Sequence, residues 1–372
     1  MRFVLFIHSL VSDWNHGNAH FLRGVVRELR ARRYDVRVFE PSDGWSRTNM
    51  LADAGPEAEA AFHAVFPGMT SETYTLAAFD LDAALDGADV VLVHEWTDPD
   101  LVARIGRHRA QGGRYCLLFH DTHHRIVSRP EEMEAMDLSA YDGVLAFGEV
   151  LRQRYLDLGW TGRAWTWHEA ADTGLFQPIP GQPEEGDLVW IGNWGDDERT
   201  AELDEFLLEP ARTLALRARI HGVRYPDSAL EALKNAGIQY GGWLPNHRAP
   251  ELFARHRLTV HVPRRPYVQA LRGIPTIRMF EALACGIPLI SAPWLDCEGL
   301  FRPGTDFLIA RNGKAMTELI RLVLNCRDLA ADLARNGLET IRHRHTCAHR
   351  VDELLAVCEE LGATASAKEG IA

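Results

Sequence analysis

Phe3 to Ile7 is an unbroken apolar run, and it constrains this chain more than any other feature. A strand that is apolar at every position must be covered on both faces, as in a parallel sheet sandwiched by helices. A polar segment, Ser12 to Asn18, follows it. Phe21, Leu22, Val25, Val26 and Leu29 then form one stripe on a helix ending near Arg32 and Arg33. Asp35 to Phe39 is a second strand. Strand, helix, strand in so short a span is a βαβ unit, whose crossover is right-handed. The pattern recurs at Asp89–Val93 with a helix from Pro99, at Tyr115–Phe119, and at Gly143–Phe147 before a helix over Val150–Leu158. The fold class is therefore α/β and doubly wound.

Residues 174–187 hold three prolines and three glycines without periodicity, the composition of a linker. A second α/β series begins directly after it. Leu188–Ile191, Ala218–His221 and Leu258–Val262 read as strands, and a helix over Thr276–Cys285 leads to another at Pro288–Ser291. The expected organisation is a first domain over 1–173, the linker over 174–187 and a second domain over 188–344, with an interdomain cleft and a disordered tail over 362–372. Ligands of such folds bind at the carboxyl ends of the strands, so the loops there are where chemistry is sought.

Composition narrows the function. Forty Lys and Arg against 52 Asp and Glu leave a net charge of −12, which argues against a nucleic-acid partner or a basic membrane face. The six cysteines contain no CxxC pair, so neither a disulfide scaffold nor a zinc ribbon is expected. No apolar stretch is long enough for a transmembrane segment, and the first apolar run is too short for a signal peptide. The expected setting is cytoplasmic.

Several strand-end segments carry candidate chemistry. In Gly273–Pro288, Pro275 and Thr276 suit a helix start and Gly286 a left-handed C-cap. Arg278 and Glu281 share a helix face. Either the helix start binds an anion and Glu281 a ribose diol, or the two side chains form a surface ion pair. In Gly192-Asn193-Trp194-Gly195, the glycines permit close backbone approach to a phosphate, and Arg199 either neutralises a leaving diphosphate or is solvated. His120-Asp121-Thr122-His123-His124 follows a buried strand, but no zinc-motif spacing accompanies it and no metal is expected. Glu95 either acts as a base or caps the following helix, beside Trp96. His16, Gly17 and Asn18 follow the first strand and should line the same cleft, but they are not a GxGxxG dinucleotide fingerprint.

Arg278-Met-Phe-Glu-Ala-Leu-Ala-Cys-Gly-Ile-Pro288 resembles the nucleotide-binding helix of GT-B glycosyltransferases, closest to the branch of spore-maturation CgeB-like proteins. His168-Glu169-Ala-Ala-Asp172 is similar to the interdomain stretch of that family, and Gly241-Gly-Trp243-Leu-Pro245 to the segment bordering the base. His345-Thr-Cys-Ala-His-Arg350 opens what looks like its terminal crossing helix, 345–361. The resemblance covers residues 2–357. It implies two Rossmann-like domains, an acceptor-side first domain, and a second domain binding a nucleotide diphosphate-sugar. Glu281 would bind the ribose, with Arg278, Thr276, Arg199, Gly192, Asn193 and Trp243 around the donor. His120 would face the donor sugar, Glu169 would lie at the cleft, and neither metal nor other cofactor would be needed.

Many retaining members carry a further Glu eight residues before the helix Glu, where this chain has Gly273, so stereochemistry does not transfer. A nucleotide-sugar epimerase and a non-catalytic nucleotide-sugar-binding protein are the alternatives on the same scaffold.

Overall fold

The structure is a computed structural model and describes residues 1–195 and 197–363; the rest of the expected tail, 364–372, lies outside them. The chain forms two compact units, Met1–His168 with the C-terminal segment from Ala348, and Glu169–Cys347.

In the first unit the strands are β1 (Arg2–Phe6), β2 (Asp35–Pro41), β3 (Glu72–Tyr74), β4 (Val90–His94), β5 (Cys116–Asp121), β6 (Gly143–Ala146) and β7 (Ala164–Thr166). They pair in parallel in the order β3-β2-β1-β4-β5-β6-β7. β1 pairs with both β2 and β4, so the order reverses beside it. Val4, Leu5 and Phe6 are at most 1% exposed, which is the two-sided burial that the unbroken apolar run demanded. The first helix, Ala19–Ala31, buries Phe21, Leu22, Val25, Val26 and Leu29. The last helix, Cys347–Glu360, belongs to this unit as well. Trp167 donates its indole N–H to the Arg350 carbonyl at 2.7 Å, and Arg32 pairs with Asp352 at 2.5 Å.

The second unit contains β8 (Gly186–Ile191), β9 (Ala218–His221), β10 (Gln239–Tyr240), β11 (His256–His261), β12 (Leu289–Ser291) and β13 (Leu308–Ile309). All are parallel in the order β10-β9-β8-β11-β12-β13, with the reversal beside β8. Its core gathers Leu188, Ile220, Leu258, Ile290 and the apolar faces of the flanking helices.

The chain passes between the units at His168–Glu169 and again at Cys347–Ala348. Segment 174–187 lies within the second unit. Its turn chemistry is real, but Phe176 is fully buried and anchors it there. The two crossing segments are tied together inside the second unit. Ala171 N–H donates to the His345 carbonyl at 2.9 Å and Cys347 N–H to the Ala171 carbonyl at 3.0 Å.

Candidate active site

The loops after β8 and β9 bring two backbones into direct contact. A Cβ built on Gly222 would stand 2.0 Å from the Gly192 carbonyl oxygen, so only glycine fits. Gly192 donates its N–H to the His221 carbonyl at 2.8 Å, and Tyr225 donates its hydroxyl to the Gly192 carbonyl at 2.7 Å. Asn193 accepts from the Val223 N–H at 3.0 Å. The glycine loop is thus a rigid backbone layer at the carboxyl edge of the sheet.

Arg199 closes that loop. Its guanidinium donates to the Val262 carbonyl at 3.0 Å and to the Asn193 carbonyl at 2.5 Å, and lies 4.9 Å over the Trp190 ring. It is 8% exposed, so the solvated alternative does not hold. Burial, and then the neighbouring Arg264, lower its pKa to about 9. Arg264 and Arg265 are matched by Glu198 and Glu202 at 2.8 Å each. Arg199 Nε has no hydrogen-bond partner among the described residues.

The helix Ile277–Ala284 begins beside it. Its N-cap, Thr276, makes no side-chain cap, which leaves the first-turn N–H groups without that partner. Glu281, one turn in, is fully buried. One carboxylate oxygen accepts from Asn246 Nδ2 at 2.7 Å, and the other pairs with Arg278. The ion pair of the second alternative therefore forms, but with one partner in the interior and not on the surface. Asn246 was not anticipated from sequence; its role arises from a turn that follows the half-buried Trp243.

Gly273 has φ +96°, and a Cβ there would stand 2.5 Å from Cys297 Sγ. The glycine that replaces an acidic residue is thus a requirement of this loop, in both backbone conformation and space.

His261, at the end of β11, was also missed from sequence, where it read as one strand residue among others. Its Nδ1 lies 2.9 Å from Ser291 Oγ, which donates onward to the Ala292 carbonyl. That chain makes Nδ1 the protonated nitrogen and leaves Nε2 an acceptor, buried and without a partner among the described residues. Burial, and secondarily Arg199, lower its pKa to about 3.

In the first unit, His8, His16, His94 and His120 form a chain of rings with centroids 5.3, 6.0 and 5.2 Å apart. His120 is fully buried between Trp167 and Phe21, with no partner for either nitrogen among the described residues. Burial lowers its pKa to about 3, so it is neutral and only weakly basic near pH 7. Asp121 points away from it and accepts from the Tyr155 hydroxyl at 2.7 Å. His16 and Asn18 are buried beside the start of the first helix, with Gly17 between them half-buried. Glu169 is buried at the start of the second unit.

Glu95 departs most from its expected role as a base. It is fully buried, and Arg125 grips one oxygen through Nε at 3.1 Å and Nη2 at 3.0 Å. Thr122 donates to the other oxygen from its backbone and hydroxyl at 3.0 and 3.1 Å. Nor does its side chain cap the helix Pro99–Ala110, whose N-cap is Asp98. Burial and nearby Asp121 raise its pKa to about 8. Glu95 ties the loops after β4 and β5 together. Among the described residues, no group of three or more His, Cys, Asp or Glu is arranged to hold a metal ion.

Comparison with known proteins gives this arrangement its class. The glycosyl transferase-like family model matches residues 199–356, the stretch that carries Arg199, Asn246, Gly273, Thr276 and Glu281. Sucrose-phosphate synthase from Thermosynechococcus elongatus superposes with a TM-score of 0.67 at 14% identity, covering 98% of this chain and 100% of that one. HepE from Anabaena, solved with UDP and glucose, gives 0.67 at 14% identity, covering 97% and 100%. An α-glucosyltransferase, solved with UDP and DNA containing an HMU base, gives 0.70 at 11% identity, covering 96% and 99%. No curated protein matches the chain. The fold is that of the GT-B enzymes. Residues 199–356 are thus similar to the glycosyl transferase-like family, and the whole chain shares its fold with these solved enzymes.

Proposed function

We propose that the second unit binds the donor as a uridine diphosphate-sugar, with Arg199 and the start of the Ile277–Ala284 helix on the diphosphate and Glu281 on the ribose. The observation that carries this reading is Arg199, a buried cation whose guanidinium hydrogen-bonds to carbonyls and lies over a ring, with Glu198 nearby but no carboxylate hydrogen-bonded to it among the described residues. A low-dielectric cation without a directly bonded carboxylate is costly, and an anionic ligand offsets that cost. The uncapped helix start adds backbone N–H groups and positive potential at the same edge. Both HepE and the α-glucosyltransferase carry UDP in their structures, which supports the uridine choice.

In this mechanism the departing diphosphate is stabilised by fixed backbone dipoles and arginine charge, without a metal. Glu281 exchanges an internal partner for the ribose hydroxyls, while Asn246 keeps its carboxylate in place. Trp243 borders the base. Gly192 and Asn193 present their backbone to the phosphates, and His261 Nε2 accepts from a donor hydroxyl. His120, neutral and with unused hydrogen-bonding capacity, serves as a sugar-hydroxyl anchor rather than as the base. Assignment to the CgeB-like branch rests on the Arg278–Pro288 helix. No helix among the described residues is long and apolar enough to cross a membrane. All six cysteines are free, which supports a cytoplasmic setting.

Calorimetric titration of UDP-, GDP- and dTDP-sugars tests the donor. Binding of a UDP-sugar that Glu281→Ala abolishes is the expected result. Equal binding to wild type and Glu281→Ala, or no nucleotide binding at all, overturns the assignment.

A further inference from the structure

Three loops at the carboxyl edge of the first sheet carry a feature that the donor site does not use. Trp14 lies in the loop after β1, Trp45 follows β2, and Trp96 follows β4. Their rings lie close together, with centroids 6.2 Å apart for Trp14 and Trp45 and 6.5 Å for Trp45 and Trp96. All three are half-buried, whereas a tryptophan serving the core alone is covered, as Trp167 is at 1% exposure. Among the described residues, Trp14 donates its indole N–H to Asp53 at 2.5 Å, while those of Trp45 and Trp96 make no hydrogen bond.

The platform is held rigid from below. Ser46 Oγ donates to the Trp14 carbonyl at 2.8 Å and lies 2.8 Å from Ser12 Oγ. Arg23, buried beneath, donates to the Leu10 and Val11 carbonyls at 2.7 and 2.9 Å and pairs with Asp13 at 2.8 Å. The Arg125 guanidinium stacks 4.0 Å over Trp96, itself fixed by Glu95. The ring of His8 packs 4.5 Å from that of Trp45.

Two buried polar atoms lie unused near the carboxyl ends of β1 and β2. His8 is 3% exposed and Glu40 is 1% exposed. His8 Nε2 and Glu40 Oε1 have no hydrogen-bond partner among the described residues, although Glu40 Oε2 accepts from Leu10 N–H at 2.5 Å. Orphan polar atoms at this depth are expensive unless a ligand or water completes them.

We propose that this platform is the acceptor site and that the acceptor is a carbohydrate, one sugar face lying on Trp45 and Trp96 and its hydroxyls reaching Glu40 Oε1 and His8 Nε2. The inference rests on the glycosyltransferase reading and adds the acceptor class. A sugar ring offers what the platform asks for: an apolar C–H face for an indole, and hydroxyls for a carboxylate and an imidazole. The charge pattern disfavours a polyanion. Asp53 accepts from the Trp14 indole, and Arg125, the cation stacked on Trp96, is already matched by Glu95 and Glu132. Nucleic acid would need unmatched cations for its phosphates.

The test applies the full chain to a glycan array and follows hits by saturation-transfer NMR, with UDP binding measured in parallel. A glycan should bind, and Trp45→Ala should weaken it about tenfold, the scale of one lost stacking contact. Trp45→Phe should keep most of the affinity, and both variants should bind UDP as wild type does. Trp96→Ala is the second probe, and thermal melts confirm that each variant is folded. The proposal is overturned by a bare array, or by glycan binding indifferent to both alanine variants. It is equally overturned if a DNA duplex or phosphatidylglycerol–phosphatidylethanolamine vesicles bind through Trp45 instead. Glycan binding that survives Glu281→Ala while UDP binding fails in every form would sink the donor assignment and leave the acceptor platform standing.

Discussion

Asn246 Nδ2 donates to Glu281 Oε1 at 2.7 Å, joining a turn residue to a helix residue in the interior of the second unit. The bond fixes which way the Glu281 carboxylate faces, as the proposed contact with ribose hydroxyls requires.

Asn246→Leu removes the donor and leaves the buried Glu281 without that hydrogen bond. A buried polar group that loses its partner costs about 1–3 kcal/mol. The variant should therefore melt several degrees lower by scanning calorimetry. Its UDP affinity should also fall, though less than that of Glu281→Ala.

Arg199→Lys should behave as a severe change despite keeping the charge. An ammonium is a point donor and cannot reproduce the planar fork that reaches the Asn193 and Val262 carbonyls together. Calorimetry should show UDP binding at least about tenfold weaker, equivalent to roughly 1.4 kcal/mol. Unchanged binding would assign Arg199 to loop structure only.

Gly273→Glu, which restores the acidic residue many retaining relatives carry, should fail to create a functional carboxylate. The backbone at φ +96° disfavours any side chain, and the first atom of one meets Cys297 Sγ. A loss of at least about 1–2 kcal/mol from the backbone alone is expected in urea melts. Gly273→Ala should show most of that loss, since the conflict begins at Cβ.

Acid should destabilise the first unit early. His8 and His120 have pKa values lowered from 6.5 to about 4 and about 3, and His16 and His94 are also lowered, all chiefly by burial. The native state thus holds fewer protons than the unfolded chain as pH falls below 6.5, and stability drops by up to about 1.4 kcal/mol per pH unit for each histidine. Glu95 and Asp121, whose pKa values are raised, act in the opposite sense, losing stability as pH rises above the unfolded carboxyl range. Four histidines outweigh two carboxyls between about pH 4.5 and 6.5. Urea melts at pH 7, 6 and 5 should show a falling midpoint, and His8→Phe should flatten the trend.

Much of the fold was legible in the chain because the central strands carry short continuous apolar runs. β1, β4, β5 and β8 announced themselves that way. β3, β7, β10 and β13 did not, since two or three residues at a sheet edge carry no periodicity. The Gly192 loop and the Glu281 helix were readable because a glycine requirement and a helical repeat are local properties. Asn246, His261 and the Glu40–His8–Trp45 grouping were not, because each role depends on residues from separate strand-end loops.

The arithmetic of charge and cysteine in the sequence narrowed the classes of partner and scaffold, and its apolar runs set two parallel sheets. Tertiary structure alone decided that Glu95 is an internal tie to Arg125, that Arg199 is a buried cation hydrogen-bonded to carbonyls, and that three tryptophans share one platform. Burial and pairing are properties of long-range contacts. A sequence specifies which residues are able to make them, and only the packed chain determines which do.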